Sequence, residues 1–266
     1  MTKQPLVSII IPAHNEQNRL PGSLAKIDAF LRTQSYVAEV IVVENGSVDN
    51  TTQVAQEFAR THPYVRLIEV STRGKGLAVR AGMLAARGEY HFICDADLSM
   101  PIDELPKLLQ QGLLGFDVVI GSREAKGATR IGEPLRRHLI GRVANAIIKV
   151  MALKGYEDTQ CGFKLFSSKA SKDLFTIQRI NGIGFDVELV FLSEKRGYQI
   201  CEVPIVWYYD GDSRMRFVED SLRMIWEIYT VRSNWHKGIY AESHGIYHGL
   251  DSADQIAPMA EVVSQA

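Results

Sequence analysis

Short runs of β-branched and apolar residues recur along the first half of this 266-residue chain, and stretches with helical spacing separate them. Residues 7–12, 40–43, 65–70, 90–94 and 118–121 read as strands with few polar positions. Residues 20–31 set Leu24, Ile27 and Leu31 on one side of a helix. A second helix starts at Asp49 or Asn50 and runs to residue 60, and an Ala-rich third covers 76–87. Strands that lack a polar face must be covered on both sides. The pattern therefore predicts an α/β fold with a mostly parallel central sheet flanked by helices. Ligands on such sheets bind beyond the carboxyl ends of the strands. Ala13-His14-Asn15-Glu16, Glu44-Asn45-Gly46-Ser47 and Asp95-Ala96-Asp97 all fall at those ends.

The second half is less regular. Residues 135–153 and 217–232 have helical apolar patterns, 185–196 reads as a helix, and 162–167 and 200–208 read as strands. From Ala241 the periodicity stops, which predicts a flexible tail over 241–266 behind one domain over 1–240, with a nucleotide-binding half over 5–123 and an acceptor- or membrane-facing half over 124–240. A net charge of −1 argues against a nucleic-acid partner. Cys94, Cys161 and Cys201 are widely spaced and odd in number, as expected of reduced thiols in a reducing compartment. The first residues lead straight into a strand, so no signal peptide is expected. No apolar run reaches the roughly 18 residues of a membrane span. A cytoplasmic protein with peripheral contact to the membrane face is the expectation.

Asp95 and Asp97 stand one residue apart at the end of an apolar strand. Such carboxylates repel each other unless a cation lies between them. Oxygen ligands favour Mg²⁺ or Mn²⁺, which would also hold a substrate diphosphate. A strand-end pair that only caps the next helix is the competing reading. Arg73-Gly74-Lys75-Gly76 has glycines at a helix mouth but lacks Walker spacing, which excludes a P-loop enzyme and leaves an anion-facing or simply solvated loop. Arg123, after Gly121-Ser122, is placed either to fork onto a diphosphate or to lie at the surface. Asp186 and Glu188 fall in the first turn of a helix, where acids suit the dipole. In 135–153 the apolar residues Leu135, Leu139, Val143, Ile147 and Met151 accompany Arg136, Arg137, Arg142 and Lys149, with Lys154 just beyond. Two readings fit: a buried helix with a basic outer face, or a helix lying on an anionic membrane.

Val7 to Glu16, Val40 to Asp49 and Asp95-Ala96-Asp97 together resemble the inverting family 2 nucleotide-sugar glycosyltransferases with a GT-A-type fold. Asp158-Thr159-Gln160-Cys161-Gly162-Phe163-Lys164-Leu165-Phe166 and Phe185-Asp186-Val187-Glu188-Leu189 narrow the likeness to the branch that glycosylates polyprenyl phosphates, dolichyl-phosphate β-glucosyltransferases first and mannosyltransferases second. The resemblance covers residues 7–232. It implies that Pro12, Ala13, Asn15, Glu16, Glu44, Asp49, Lys75, Asp95 and Ala96 bind the nucleotide, and that Asp95 and Asp97 hold the metal. It implies catalytic roles for Asp97, Asp186 and Arg123. The segment with Gln160 and Lys164 would wall the sugar pocket and acceptor mouth, with a surface lysine in a strand as the other reading of Lys164. Arg123, Lys164, Arg214 and Arg216 would offset the acceptor charge, with a solvated turn as the other reading of Arg214 and Arg216. The implied reaction is transfer of glucose from UDP-glucose to dolichyl or undecaprenyl phosphate, giving a β-linked product. GDP-mannose or another donor, or a glycan hydroxyl acceptor with Asp186 as base, stays open. The chain departs from the family at Asn45, where an acid is usual, and at Ser99, where some relatives carry Gln. It lacks the Gln-x-x-Arg-Trp motif of processive synthases, which argues against a polymerase.

Overall fold

The computed structural model describes residues 4–134, 155–209 and 217–241. The basic 135–153 segment, Arg214, Arg216 and the tail from 242 lie outside the described residues.

Among the described residues, seven strands form one sheet in the order β3-β2-β1-β4-β7-β5-β8. They are β1 (Val7–Ala13), β2 (Ala38–Asn45), β3 (Val65–Val70), β4 (Tyr90–Ile93), β5 (Val118–Ser122), β7 (Lys164–Ser167) and β8 (Ile200–Pro204). All neighbours pair in parallel except β7, which runs antiparallel between β4 and β5. Helices α1 (Leu20–Leu31), α2 (Thr51–Thr61), α3 (Lys75–Ala85), α4 (Leu105–Leu113), α5 (Ser168–Ile177), α6 (Phe185–Lys195) and α7 (Phe217–His236) surround it. A two-stranded ribbon pairs β6 (Thr129–Ile131) with β9 (Val206–Tyr208).

Side chains alternate between the two faces of a strand, and the core divides accordingly. Ile9 and Ile11 of β1 join Val40 and Val42 of β2 against Leu20, Leu24 and Ile27 of α1 and Leu105 and Leu108 of α4. Ile10, Ile41 and Val43 face the other way, onto Ala78, Val79 and Met83 of α3; the cluster continues through Leu174 of α5, Leu189 of α6 and Ile228 of α7. The central strands β1, β2, β4, β7 and β5 are thus buried on both faces, as polar-poor strands require, and the edge strands β3 and β8 stay partly exposed.

The structure revises three local readings. First, the 200–208 run is two strands. Pro204 ends β8, and Ile205 then carries the chain from one sheet to the other: its N–H donates to Ser122 O at 3.1 Å and its carbonyl accepts from Thr129 N at 3.0 Å. Second, the strand in 162–167 is confined to Lys164–Ser167. Third, α4 and α5 complete the cover, and Ser167 caps α5 by accepting from Ala170 N at 3.2 Å. Among the described residues no helix is long and apolar enough to cross a membrane.

Candidate active site

β4 delivers Asp95 and Asp97 to the carboxyl edge of the sheet, where the chain turns sharply. Cys94 N donates to Ile10 O at 2.9 Å, and Leu98 N turns back onto Asp95 O at 3.2 Å. Leu98 has φ 48°, a left-handed conformation uncommon for a residue with a branched side chain. Ser99 N donates to Asp97 Oδ1 at 2.9 Å, and the Ser23 hydroxyl of α1 donates to Ala96 O at 2.6 Å. The aspartates are therefore fixed from the backbone. They do not act as caps for the next helical turn, a 3-10 turn over Ile102–Glu104 that Pro101 precedes and that leads into α4.

Three motifs far apart in sequence gather around Asp95, and two of them touch it. The Lys75 ammonium at the start of α3 lies 2.6 Å from Asp95 Oδ1. Gly162 presses its bare backbone against the same carboxylate, so that any side chain there would collide with Asp95. Two residues on, the fully buried Lys164 donates to Asp186 Oδ1 and to Cys161 O, both at 2.5 Å. Asp186 belongs to the first turn of α6 and is itself buried.

The field in this cluster is divided. Burial pushes the Asp95 carboxyl up, but Lys75 and then Lys164 outweigh it and hold the group below the usual carboxylate range. Asp97 is exposed by surface area, yet the protein crowding its carboxyl, together with the charge on Asp95, pushes it up. Burial also raises Asp186, against the pull of Lys164 and Lys75. Burial works against the Lys75 charge, and Asp95 followed by Asp186 overrides it, so its ammonium is held above the ordinary lysine range.

The first and second loops are stitched together beside this cluster. Pro12 and Ala13 end β1, in register with Val43 and Glu44. Asn15, at φ 55°, accepts from Val48 N at 2.9 Å, and its own N–H donates to Ser47 Oγ at 3.0 Å. It does not cap α1, whose N-terminal flanking residue is Arg19. The buried Glu44 carboxylate accepts from Ser47 N, which shapes the Gly46-Ser47 turn. Asp49 accepts from the N–H groups of Thr51 at 3.0 Å and Gln17 at 3.3 Å. Burial raises the Asp49 carboxyl, but the Thr51 hydroxyl and these N–H groups bring it below the ordinary value. Glu16 chelates Arg19 through two contacts of 2.7 Å.

Two expected contacts take a different form. Arg123 presents its fork to Asp158, with Nε–Oδ2 at 2.6 Å and Nη2–Oδ1 at 2.9 Å, and its guanidinium lies 5.8 Å from the Trp207 ring. It is neither a loose surface arginine nor a fork left open for a diphosphate. Lys164 is not a surface lysine and does not face an acceptor directly, because no part of it reaches solvent. Gln160 reaches the Met224 sulfur of α7. Sequence reasoning missed Asp158, Trp207 and Glu202, whose carboxylate accepts from Glu157 N and Asp158 N at 2.8 Å each. Asp158 opens the most specific segment, but its partner lies 35 residues upstream, a distance that no periodicity bridges.

Among the described residues no cluster of three or more His, Cys, Asp or Glu is arranged to hold a metal ion. Two carboxylates alone suit a cation that completes its shell with phosphate and water oxygens, as Mg²⁺ does.

The family described as Glycosyl transferase family 2 matches residues 8–175. A dolichyl-phosphate beta-glucosyltransferase of Drosophila melanogaster is 35% identical over 246 residues, spanning 85% of this chain and 76% of the relative. Proteins of the same name from Trichomonas vaginalis and Saccharomyces cerevisiae are 32% and 30% identical; the match spans 88% and 89% of this chain and 72% and 77% of the relatives. In fold, the chain is similar to glucosyl-3-phosphoglycerate synthase from Mycobacterium tuberculosis, crystallised with Mn²⁺, UDP-glucose and phosphoglyceric acid, with a TM-score of 0.63 at 19% identity over 86% of this chain and 80% of that one. With its GT-A-like α/β sheet and the match over most of its length to these relatives, the chain belongs to glycosyl transferase family 2 and is a glycosyltransferase.

Proposed function

We propose that the chain transfers glucose from UDP-glucose to a polyprenyl phosphate, dolichyl or undecaprenyl, with inversion at the anomeric carbon. The observation that carries this reading is the meeting of Lys75, Gly162 and the Lys164–Asp186 pair around Asp95 just beyond β4, with Asp97 two residues further on. The relatives named as dolichyl-phosphate beta-glucosyltransferases supply the substrate classes.

Mg²⁺ or Mn²⁺ bound by Asp95 and Asp97 would supply positive charge to the diphosphate leaving group. The Asn15–Ser47 and Asp49–Gln17 contacts fix the walls of a nucleotide cleft. Lys75 adds a positive charge on the diphosphate side while holding Asp95 ionised. A phosphate monoester is largely a dianion near neutral pH and already a nucleophile. Asp186 then has no proton to take. Clamped by Lys164, it orients the sugar or the acceptor. Lys164 acts through Asp186, and Arg123, tied to Asp158, stiffens the pocket wall. Arg214 and Arg216 remain our candidates to offset the acceptor charge.

A lipid acceptor needs a surface that meets the bilayer, and α7 offers one. Its inner side packs beside the site: Met224 touches Gln160, and Glu227 Oε2 accepts from Gly184 N at 2.7 Å. Its outer side exposes Trp226 (66%) and Tyr229 (67%) between Arg223 and Arg232. From Arg223 to Lys237 the exposed charges are all basic, since Glu227 is buried. Amphipathic rings flanked by cations fit an anionic bilayer surface. The test is transfer of label from UDP-glucose into polyprenyl phosphate, in detergent and in vesicles containing anionic lipid. Wild type transfers in both. A Trp226→Ala/Tyr229→Ala variant keeps the detergent activity and loses about tenfold on vesicles. Equal loss in both settings would remove α7 as the docking face, and no label in lipid with wild type would remove the acceptor.

A further inference from the structure

We infer that Glu188 is a positioning residue that sets Lys75 against Asp95 and ties the turn after α7, through Tyr240, to the donor site. This rests on the reading of Asp95 as part of that site. Glu188 is fully buried, two residues beyond Asp186 on α6, and faces away from the charge cluster toward the 178–182 loop. Its Oε1 accepts from Arg179 N at 2.9 Å and from the Tyr240 hydroxyl at 2.6 Å, and its Oε2 accepts from Ile180 N at 3.0 Å. One carboxylate thus holds two consecutive backbone amides and a buried phenol. A neutral amide in its place cannot accept from all three, because half of it donates.

The loop so held grips the residues around Lys75. Gln178 Nε2 donates to Gly76 O at 2.9 Å and to Ile180 O at 2.8 Å. Leu77 N donates to Asn181 O at 3.4 Å. The approach is close enough that a Cβ on Gly74 would stand 2.8 Å from Asn181 O, and one on Gly76 would stand 2.6 Å from Ile180 O. Gly74-Lys75-Gly76 is therefore glycine-flanked because another backbone lies against it, independently of any bound phosphate. The chain of contacts runs from Tyr240 through Glu188 and the 179–181 backbone to Lys75 and its 2.6 Å contact with Asp95. Tyr240 itself is seated by Arg196, whose Nη2 donates to Tyr240 O at 3.1 Å. None of these residues needs to touch a substrate.

The test joins kinetics to amide exchange on the full chain. Glu188→Gln is expected to raise KM for UDP-glucose about tenfold with little change in kcat, and Tyr240→Phe about threefold. In a Lys75→Ala background Glu188→Gln adds nothing, because the residue it positions is gone. Deuterium exchange at amides 74–79 is faster in both single variants. A Glu188→Gln effect that multiplies with Lys75→Ala overturns the inference, and so does unchanged exchange at 74–79. Failure of wild type to use UDP-glucose would sink the donor assignment alone, since the exchange result is independent of the donor.

Discussion

Asp97→Asn lowers kcat/KM for sugar transfer by about a thousandfold and leaves the fold intact. The substitution keeps the side-chain oxygen that accepts from Ser99 N, so the Asp95–Ser99 turn survives. Asp97 is exposed, and changes at such positions typically move stability by about 0.5 kcal/mol or less. What disappears is the second charged oxygen donor beside Asp95. A hard divalent cation left with one carboxylate, itself already paired to Lys75, is held weakly. Steady-state kinetics across a Mn²⁺ titration, with urea unfolding alongside, checks this. Activity within threefold of wild type would show that Asp97 is not a metal ligand.

Asp186→Ala destabilises the fold by about 3–5 kcal/mol, because it strands the Lys164 ammonium in a site without solvent. Cys161 O remains as a partner, but a carbonyl does not neutralise the charge. Replacing both partners with apolar residues of similar size, Lys164→Met/Asp186→Leu, restores most of the stability. The double variant still fails in transfer, because Asp186 and Lys164 shape the pocket beside Asp95. The pair thus separates two roles in one experiment: urea midpoints report the buried charge, and label transfer reports the site. A single variant that unfolds at the wild-type midpoint would mean that Lys164 finds solvent or another acid. An active double variant would remove Asp186 from the mechanism.

The sheet was legible because its strands carry their own signal. The 7–12, 40–43, 65–70, 90–94 and 118–121 runs all fall inside strands or within a residue of them, and the three polar loops do collect at one edge. Asp95 and Asp97 were legible for the same reason, since a strand end fixes where its last residues go. Partners supplied from elsewhere in the chain were not legible. Asp158 for Arg123, Glu227 for Gly184 and Tyr240 for Glu188 are 35, 43 and 52 residues apart. Nothing in helix or strand periodicity encodes such pairings. Lys164 shows the limit most clearly. An ammonium in a strand reads as a surface group by composition, yet here it is fully buried because α6 brings Asp186 to it. The division of 200–208 into two strands was hidden in the same way. Ile205 is apolar like its neighbours, and only its partners in Ser122 and Thr129 show the change of sheet.

The most direct measurement is the anomeric configuration and solubility of the product formed from UDP-glucose, polyprenyl phosphate and Mg²⁺ or Mn²⁺, with GDP-mannose in a parallel reaction. The expected product is an organic-extractable β-glucosyl phosphate, formed only with added metal and absent with Asp97→Asn. Label from GDP-mannose alone would contradict the donor. An α-linked product would contradict the single displacement, and a water-soluble glucoside would contradict the lipid acceptor.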